Sequence, residues 1–562
     1  MSTRFRLGAI GLAALALLAA SCTSGGTGTA LKKSDARPAT AAPVRQGGSI
    51  VIGAEQEPDC TDWIASCATS IWGTWIMDIP TIPRVFEPRK VDDTWGLAAT
   101  NVMASEPEVA AGPPQKVTYQ INPAAVWSDG EPITSEDFAY TALAIRDGKD
   151  VLNRTGYSHV TKIDTPDPKT AVVTFDAPYA NWKGLFSDSS GLLPSHLLKG
   201  KDRSALMKDG YTWSGGPWKI ESWTKGVSVV LVPNANYWGD KPKLDKVTFQ
   251  FTADTAAAFQ AFKTGQLDAL YPTPQLDSID QIKSGLPNAS SIVDPESGNL
   301  EAIWFNNAKA PFDSVTFRKA VSHAIDRKAV VARLYGALGV NEPAQSAHTP
   351  LVGRYGGTDF AQYTPDLAKV DSLMRGDGWA KGSDGIWAKA GNRATFSVST
   401  MTGNKRRELT EQILQEQLRA AGFEVKIDNT SATDLFASKL PKGDFQMGLW
   451  TLVDTFPQPS LEASFSSSAV PTADNGYSGL NMSRIDLPGL DNVLDTAASS
   501  LDEARRVDVS RQADKLLADS AALLPLDVIP NILLWNNKIG GPLAIDPARG
   551  PFWNLAQWGL AS

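Results

Sequence analysis

Apolar residues follow two different periods along this chain, and each change of period marks an element. In SIVIGAEQEPD, from Ser49, the residues Ile50, Ile52 and Ala54 alternate with small or apolar neighbours, which predicts a buried strand and the start of the folded chain. VTYQI, from Val117, predicts another strand and leads into VWSDGEPITSEDF. There Asp129-Gly130 supplies a turn, and Thr134 with Asp137 is placed to cap the next helix. VTFQFTADTAAAFQAFKTGQLDAL reads as strand, helix and strand, with Ala258, Phe259 and Phe262 inward and Gly265 as the stop. The same order recurs in RRELTEQILQEQLRAAGFEVKI: Leu409, Ile413, Leu414 and Leu418 share a helical face, Gly422 ends it, and residues 423–427 alternate. Near the end, Ser500 and Glu503 are spaced as a capping box for a helix through Leu517, and LLPLDVIPNILLW reads as one buried return strand. Two α/β units this far apart imply two lobes. The length of 562 residues agrees, since single cores stop growing near ~250–300 residues.

The first residues follow neither period. In MSTRFRLGAIGLAALALLAASC, Arg4 and Arg6 precede an apolar run that ends in small residues, the layout of a cleaved export signal. The run is about 14 residues, short of the ~20 that a membrane-spanning helix needs. Leu18-Ala19-Ala20-Ser21-Cys22 resembles the lipobox of bacterial lipoproteins, with Ala19 where a leucine is usual. That resemblance implies lipidation of Cys22. Residues 23–48, rich in Thr, Ser, Gly, Ala and Pro, predict a flexible tether.

Composition narrows the function. With 42% hydrophobic and 20% charged residues the chain is neither disordered nor polytopic. A net charge of −8 argues against a nucleic-acid surface. In an oxidising compartment Cys60 and Cys67 can close a small loop by a disulfide; two separate buried thiols are the alternative. A zinc site is not expected, because His159, His196, His323 and His348 are scattered and two thiolates need two further ligands. Neither metal nor cofactor is called for. No H-E-x-x-H helix, G-x-S-x-G elbow, Walker loop or G-x-G-x-x-G follows the pattern of an enzyme, which leaves a secreted glycosidase with distant carboxylates as the remote catalytic reading.

Several segments, in order, resemble the oligopeptide- and dipeptide-binding family of bacterial extracellular solute-binding proteins. They are VWSDGEPITSEDFAYT at 126–141, SGGPWKI at 214–220, NANYWGDKPKLDKVTF at 234–249 with GQLDAL at 265–270, and WFNNAKAPFDSVTFRKAVSHAIDRKAVV at 304–331. The resemblance implies an α/β, two-lobed periplasmic-binding-protein-like fold, with an extra inserted subdomain and a hinge of two crossing strands. It divides the chain into a signal peptide with lipobox (1–22), the tether (23–48), a first lobe (49–75, 206–300 and 527–562), an inserted subdomain (76–205) and a second lobe (301–526). It also implies a non-enzymatic monomer, lipid-anchored at the outer face of the cytoplasmic membrane or periplasmic. Such a protein delivers a small ligand, a peptide first of all, to ABC permease subunits served by a separate ATPase. Members for nickel, haem, opines and oligosaccharides, and a sensor on the same fold, are the alternatives.

The resemblance also nominates ligand-binding residues. LWTLVDTFPQP at 449–459 is similar to the cleft segment that carries an aromatic and then an aspartate for the ligand's amino terminus, here Trp450 and Asp454. A buried carboxylate suits an ammonium group through a charge-assisted hydrogen bond. Of 17 tryptophans, Trp63, Trp72 and Trp75 also fall at expected cleft walls, and Tyr271 and Asn306 near the hinge. The run Lys405-Arg406-Arg407 reads as a solvated helix start, with a ligand carboxylate as its alternative partner.

Overall fold

The computed structural model describes residues 43–562 apart from 69, 92–93, 188–189, 295–296, 454–460 and 548, so Cys22 and Asp454 lie outside the described residues. The folded chain begins ahead of Ser49. Val44–Arg45 pairs antiparallel with Gly559–Ala561, using backbone that composition alone assigned to the tether.

One seven-stranded sheet holds the strand Ser49–Ala54 at its heart, parallel to Lys246–Phe251 on one side and to Ala269–Leu270 on the other. The intervening helix Thr255–Lys263 makes the crossover. Asp254 caps it by accepting from Ala257 N at 2.8 Å, and it buries Ala258, Phe259 and Phe262 as the pattern required. A five-stranded sheet runs in the order Glu424–Ile427, Thr395–Ser399, Met447–Val453, Asn299–Phe305, Leu523–Val528. Its helix Lys405–Ala421 ends at Gly422, whose φ of +97° is left-handed backbone that favours glycine. The apolar stripe of that helix is shared: Leu414 and Leu418 enter the core around Phe396 and Phe423, while Leu409 and Ile413 pack toward the cluster around Phe259 and Leu334.

A four-stranded antiparallel sheet, spanning 108–175, packs into the same core as the seven-stranded sheet, with the helix Ser135–Asp147 beside it. The capping box of Thr134 and Asp137 forms, and Asp137 also accepts from Trp127 Nε1 and from Ser195 N. The other expected box does not: Asp502, nearer the first turn than Ser500, accepts from Ala504 N and Arg505 N and caps Glu503–Asp519.

The expected single return strand is two. Leu523–Val528 belongs to the five-stranded sheet and Asn531–Asn536 to the seven-stranded one. Pro530, with no amide hydrogen for a ladder, stands at the break. The chain makes the opposite passage between Ala289–Asp294 and Asn299–Phe305. The two crossings are tied together, since Ile529 N donates to Asn299 O at 2.9 Å and Ser297 Oγ to Ile529 O at 2.7 Å. This is a two-lobed α/β fold with a hinge of two crossing strands.

Cys60 and Cys67 are joined by a disulfide around a loop that carries Trp63. Closing so short a loop restricts the unfolded chain by about 2–3 kcal/mol in the entropy model. The double substitution Cys60→Ser with Cys67→Ser is expected to lower unfolding stability by up to that amount, read as a fall in the urea midpoint.

Candidate functional site

The interlobe space is a cavity of about 530 Å³ with walls from both lobes. That volume falls in the range of roughly 300–1,000 Å³ typical of small-ligand sites. One wall comes from a continuous helical run, Ile71–Gly73, Thr74–Asp78 and Ile79–Thr81, started by Ser70 accepting from Gly73 N. Its middle section is a π-turn, a local widening frequent at functional sites. Trp72 and Trp75 project from it and meet edge to face, centroids 5.7 Å apart. Tyr271, just past the strand Ala269–Leu270, completes a three-ring group at 6.0 and 5.5 Å from them. Gly550 abuts the Trp75 ring so closely that a Cβ there would lie 2.6 Å from it. Trp63 is buried in the same wall, its Nε1 donating to the Tyr211 hydroxyl at 2.8 Å.

The opposite wall belongs to the five-stranded sheet. Trp450 stacks on Trp304 from the neighbouring strand, centroids 5.0 Å apart and planes within 4°. Trp304 Nε1 donates to Trp450 O at 2.8 Å, which fixes the pair. Gly448 makes room for the Trp450 ring. Trp304 was not singled out in the sequence, although it opens the asparagine-bearing segment; its strand position two residues from the partner of Trp450 was the missing information.

The nominated residues thus divide. Trp63, Trp72, Trp75, Tyr271 and Trp450 line the cavity. Asn306 lies elsewhere: its amide donates to Gly443 O and Phe445 O and accepts from Ala308 N, holding a turn beyond the strand end. The Tyr271 hydroxyl is engaged with Asn531 at the hinge, so its ring rather than its oxygen faces the wall, and burial pushes its pKa up. Asp454 follows directly on the strand Met447–Val453, whose Thr451, Leu452 and Val453 border the cavity.

The run Lys405-Arg406-Arg407 corrects the solvated reading. Only Lys405 remains outside, paired with Glu408. Arg406 and Arg407 are 2% and 7% exposed and converge on Glu301, with Arg406 Nη2 2.7 Å from Oε2 and Arg407 Nε 2.8 Å from Oε1. Thr451 donates to the same carboxylate at 2.9 Å. Sequence could not reveal this, because Glu301 is about 105 positions away, in a strand otherwise apolar from Leu300 to Phe305. Although burial alone would raise it, the two guanidinium groups hold the Glu301 pKa down to about 2. Asp527, paired with Glu301 across the strands, goes the other way: burial pushes it up to about 7, aided by the Glu301 charge and opposed by Arg406.

Glu55 borders the cavity at the end of Ser49–Ala54 and accepts from Thr273 Oγ1 and, across the lobes, from Asn404 Nδ2 at 3.1 Å. Burial raises its pKa against those hydrogen bonds. The lobes also touch through Thr433 Oγ1 donating to Asp59 at 2.5 Å and Ala180 N to Ala498 O at 2.9 Å. Among the described residues no helix is long and apolar enough to cross a membrane.

Two lobes on a double-stranded hinge, enclosing a ligand-sized cavity walled by rings, define a solute-binding protein of the periplasmic type. The family model for bacterial extracellular solute-binding proteins, family 5, matches residues 100–471, and the chain belongs to that family. It is 28% identical over 466 residues to the oligopeptide-binding protein OppA of Mycobacterium tuberculosis, covering 80% of this chain and 75% of that one. The oligopeptide-binding protein AppA of Bacillus subtilis, solved with a nonapeptide, superposes with a TM-score of 0.82 at 21% identity, over 92% of this chain and all of its own. NikZ of Campylobacter jejuni, solved with Ni(L-His), gives 0.78 at 19% identity, over 91% and 99%.

Two outcomes follow for the buried cluster. Glu301→Gln leaves two buried guanidinium groups short of a counter-charge and is expected to destabilise by about 3–5 kcal/mol, measured by denaturant unfolding at pH 7. Asp527 keeps in the native state a proton that the unfolded chain releases above about pH 4, so its contribution falls as pH rises from about 4 through 7. Asp527→Asn is therefore expected to flatten the loss of stability between pH 5 and 7 relative to the parent; an unchanged slope would place the titration elsewhere.

Proposed function

We propose that this chain captures a short peptide between its lobes and delivers it to the permease subunits of an ABC importer powered by a separate ATPase. The observation that carries the reading is the cavity itself, which draws its two aromatic walls from different lobes across a tied double hinge. Ligand binding to both walls favours the closed arrangement in proportion to its differential affinity, and the closed form is what a permease would recognise. No bond is made or broken in this role. The names of the oligopeptide-binding relatives point to peptides.

Asp454 is assigned the ligand's ammonium group, following as it does the cavity-lining end of Met447–Val453. Trp450, Trp72, Trp75, Trp63 and Tyr271 supply contact surface. Cys22 carries the lipid that holds the protein, a monomer, at the outer face of the cytoplasmic membrane. The domain limits read from the sequence are kept as part of this proposal: first lobe 49–75, 206–300 and 527–562, inserted subdomain 76–205, second lobe 301–526. A non-peptide cargo is the second reading, favoured by the fold's accommodation of Ni(L-His) in NikZ.

Native mass spectrometry of the mature chain, purified gently from its own host and then denatured, tests the cargo. A stoichiometric peptide is expected; an opine, sugar or metal complex would sink the peptide reading. With peptide in hand, Asp454→Ala is expected to weaken binding by about 10- to 1,000-fold, the 1.5–4 kcal/mol of a charge-assisted contact, by calorimetry. In the same host, Cys22→Ser is expected to move the protein from the membrane pellet to the soluble fraction.

A further inference from the structure

The cavity wall is mostly hydrocarbon and ring surface, interspersed with neutral polar groups such as Asn153, Thr155 and Asn181, and its arginines are paired with acids behind it. On one side are Trp72, Trp75 and Tyr271, on the other the stacked Trp304 and Trp450. Four guanidinium groups border the same cavity, and each forms an ion pair within the protein, two of them sharing one carboxylate. Arg84 lies 2.6 Å from Asp78, with side chains 10% and 1% exposed. Arg549 reaches Glu87 at 2.7 Å and Asp546 at 3.2 Å. Arg406 and Arg407 share Glu301. Glu55, the remaining charged group of this wall, already accepts two hydrogen bonds, and its burial favours the neutral form.

A ligand side chain that brought a charge here would lose its water and meet, among the described residues, counter-charges already engaged. An apolar side chain would instead remove both its own surface and that of the rings from water. Building on the peptide-capture reading, we infer that the cargo is a peptide of a few residues with aliphatic or aromatic side chains, and that lysine, arginine, aspartate and glutamate side chains are discriminated against. The selectivity resides in the engagement of the wall's charges within the protein. A ligand's two termini are a separate matter, since every peptide carries them.

The test is calorimetric titration of the mature chain, freed of co-purified ligand by urea and dialysis and checked for refolding by circular dichroism. The probes are trileucine, triphenylalanine, trilysine and triglutamate, all with the same termini, so that only side chains differ. At least one apolar tripeptide is expected to bind about 100-fold or more tightly than either charged one, with a change in tryptophan fluorescence. Comparable affinities for all four, or tighter binding of a charged peptide, would overturn the selectivity and leave peptide capture standing. If none of the four binds, the molecule released from the host-purified protein decides: a peptide with apolar side chains upholds the inference, one with charged side chains overturns it, and no peptide at all removes peptide capture. A molecule carrying charge into the cavity overturns the inference, whereas an uncharged apolar one preserves it for a non-peptide cargo.

Discussion

Three charged side chains buried beside the hinge organise this molecule. Glu301 sits in a strand that is otherwise apolar from Leu300 to Phe305, and it is tolerable there because Arg406 and Arg407 reach it from the first turn of a helix distant in sequence. The same contact pulls Asn404, the cap of that helix, to where it meets Glu55 of the first lobe. One ion cluster therefore fixes the second-lobe helix against the strand and lies beside a polar contact between lobes. Asp527 adds a group poised near neutrality to the same cluster, on the strand that leads directly into a hinge crossing.

The aromatic walls depend on backbone that yields space. Gly550 and Gly448 each leave room for a tryptophan ring, and the π-turn at Thr74–Asp78 re-aims Trp75 relative to a regular helix. Rigid rings held by neighbours present their faces with little conformational freedom left to lose on binding. The flat stack of Trp304 on Trp450 is further locked by a hydrogen bond to the backbone of its partner strand.

Local pattern made the elements readable wherever burial and backbone agree. The crossover around Phe259 and the helix ending at Gly422 follow from periodicity and a stop residue, and the box at Thr134 from spacing. What escaped depends on partners remote in sequence. The break at Pro530 is a change of sheet within a continuous apolar run, and apolar runs look alike whichever sheet receives them. Val44–Arg45 forms a strand only because Gly559–Ala561 lies beside it. Arg406 and Arg407 resemble a solvated helix start until Glu301 is placed, and Asn306 resembles a ligand contact until its turn is folded. The tryptophan positions were legible through resemblance to a family, not through composition.

The pairing of Val44–Arg45 with Gly559–Ala561 has a mechanical meaning. This short zipper joins the beginning of the described chain to its end, and Gly47 and Gly48 continue the attachment through Lys243 and Asp245 beside the seven-stranded sheet. A pull on the chain ahead of Val44 is thus borne by the lobe containing that sheet, through the short ladder and the two glycine contacts. The other lobe, joined through the two crossings and by contacts such as Asn404 with Glu55, carries none of that attachment among the described residues.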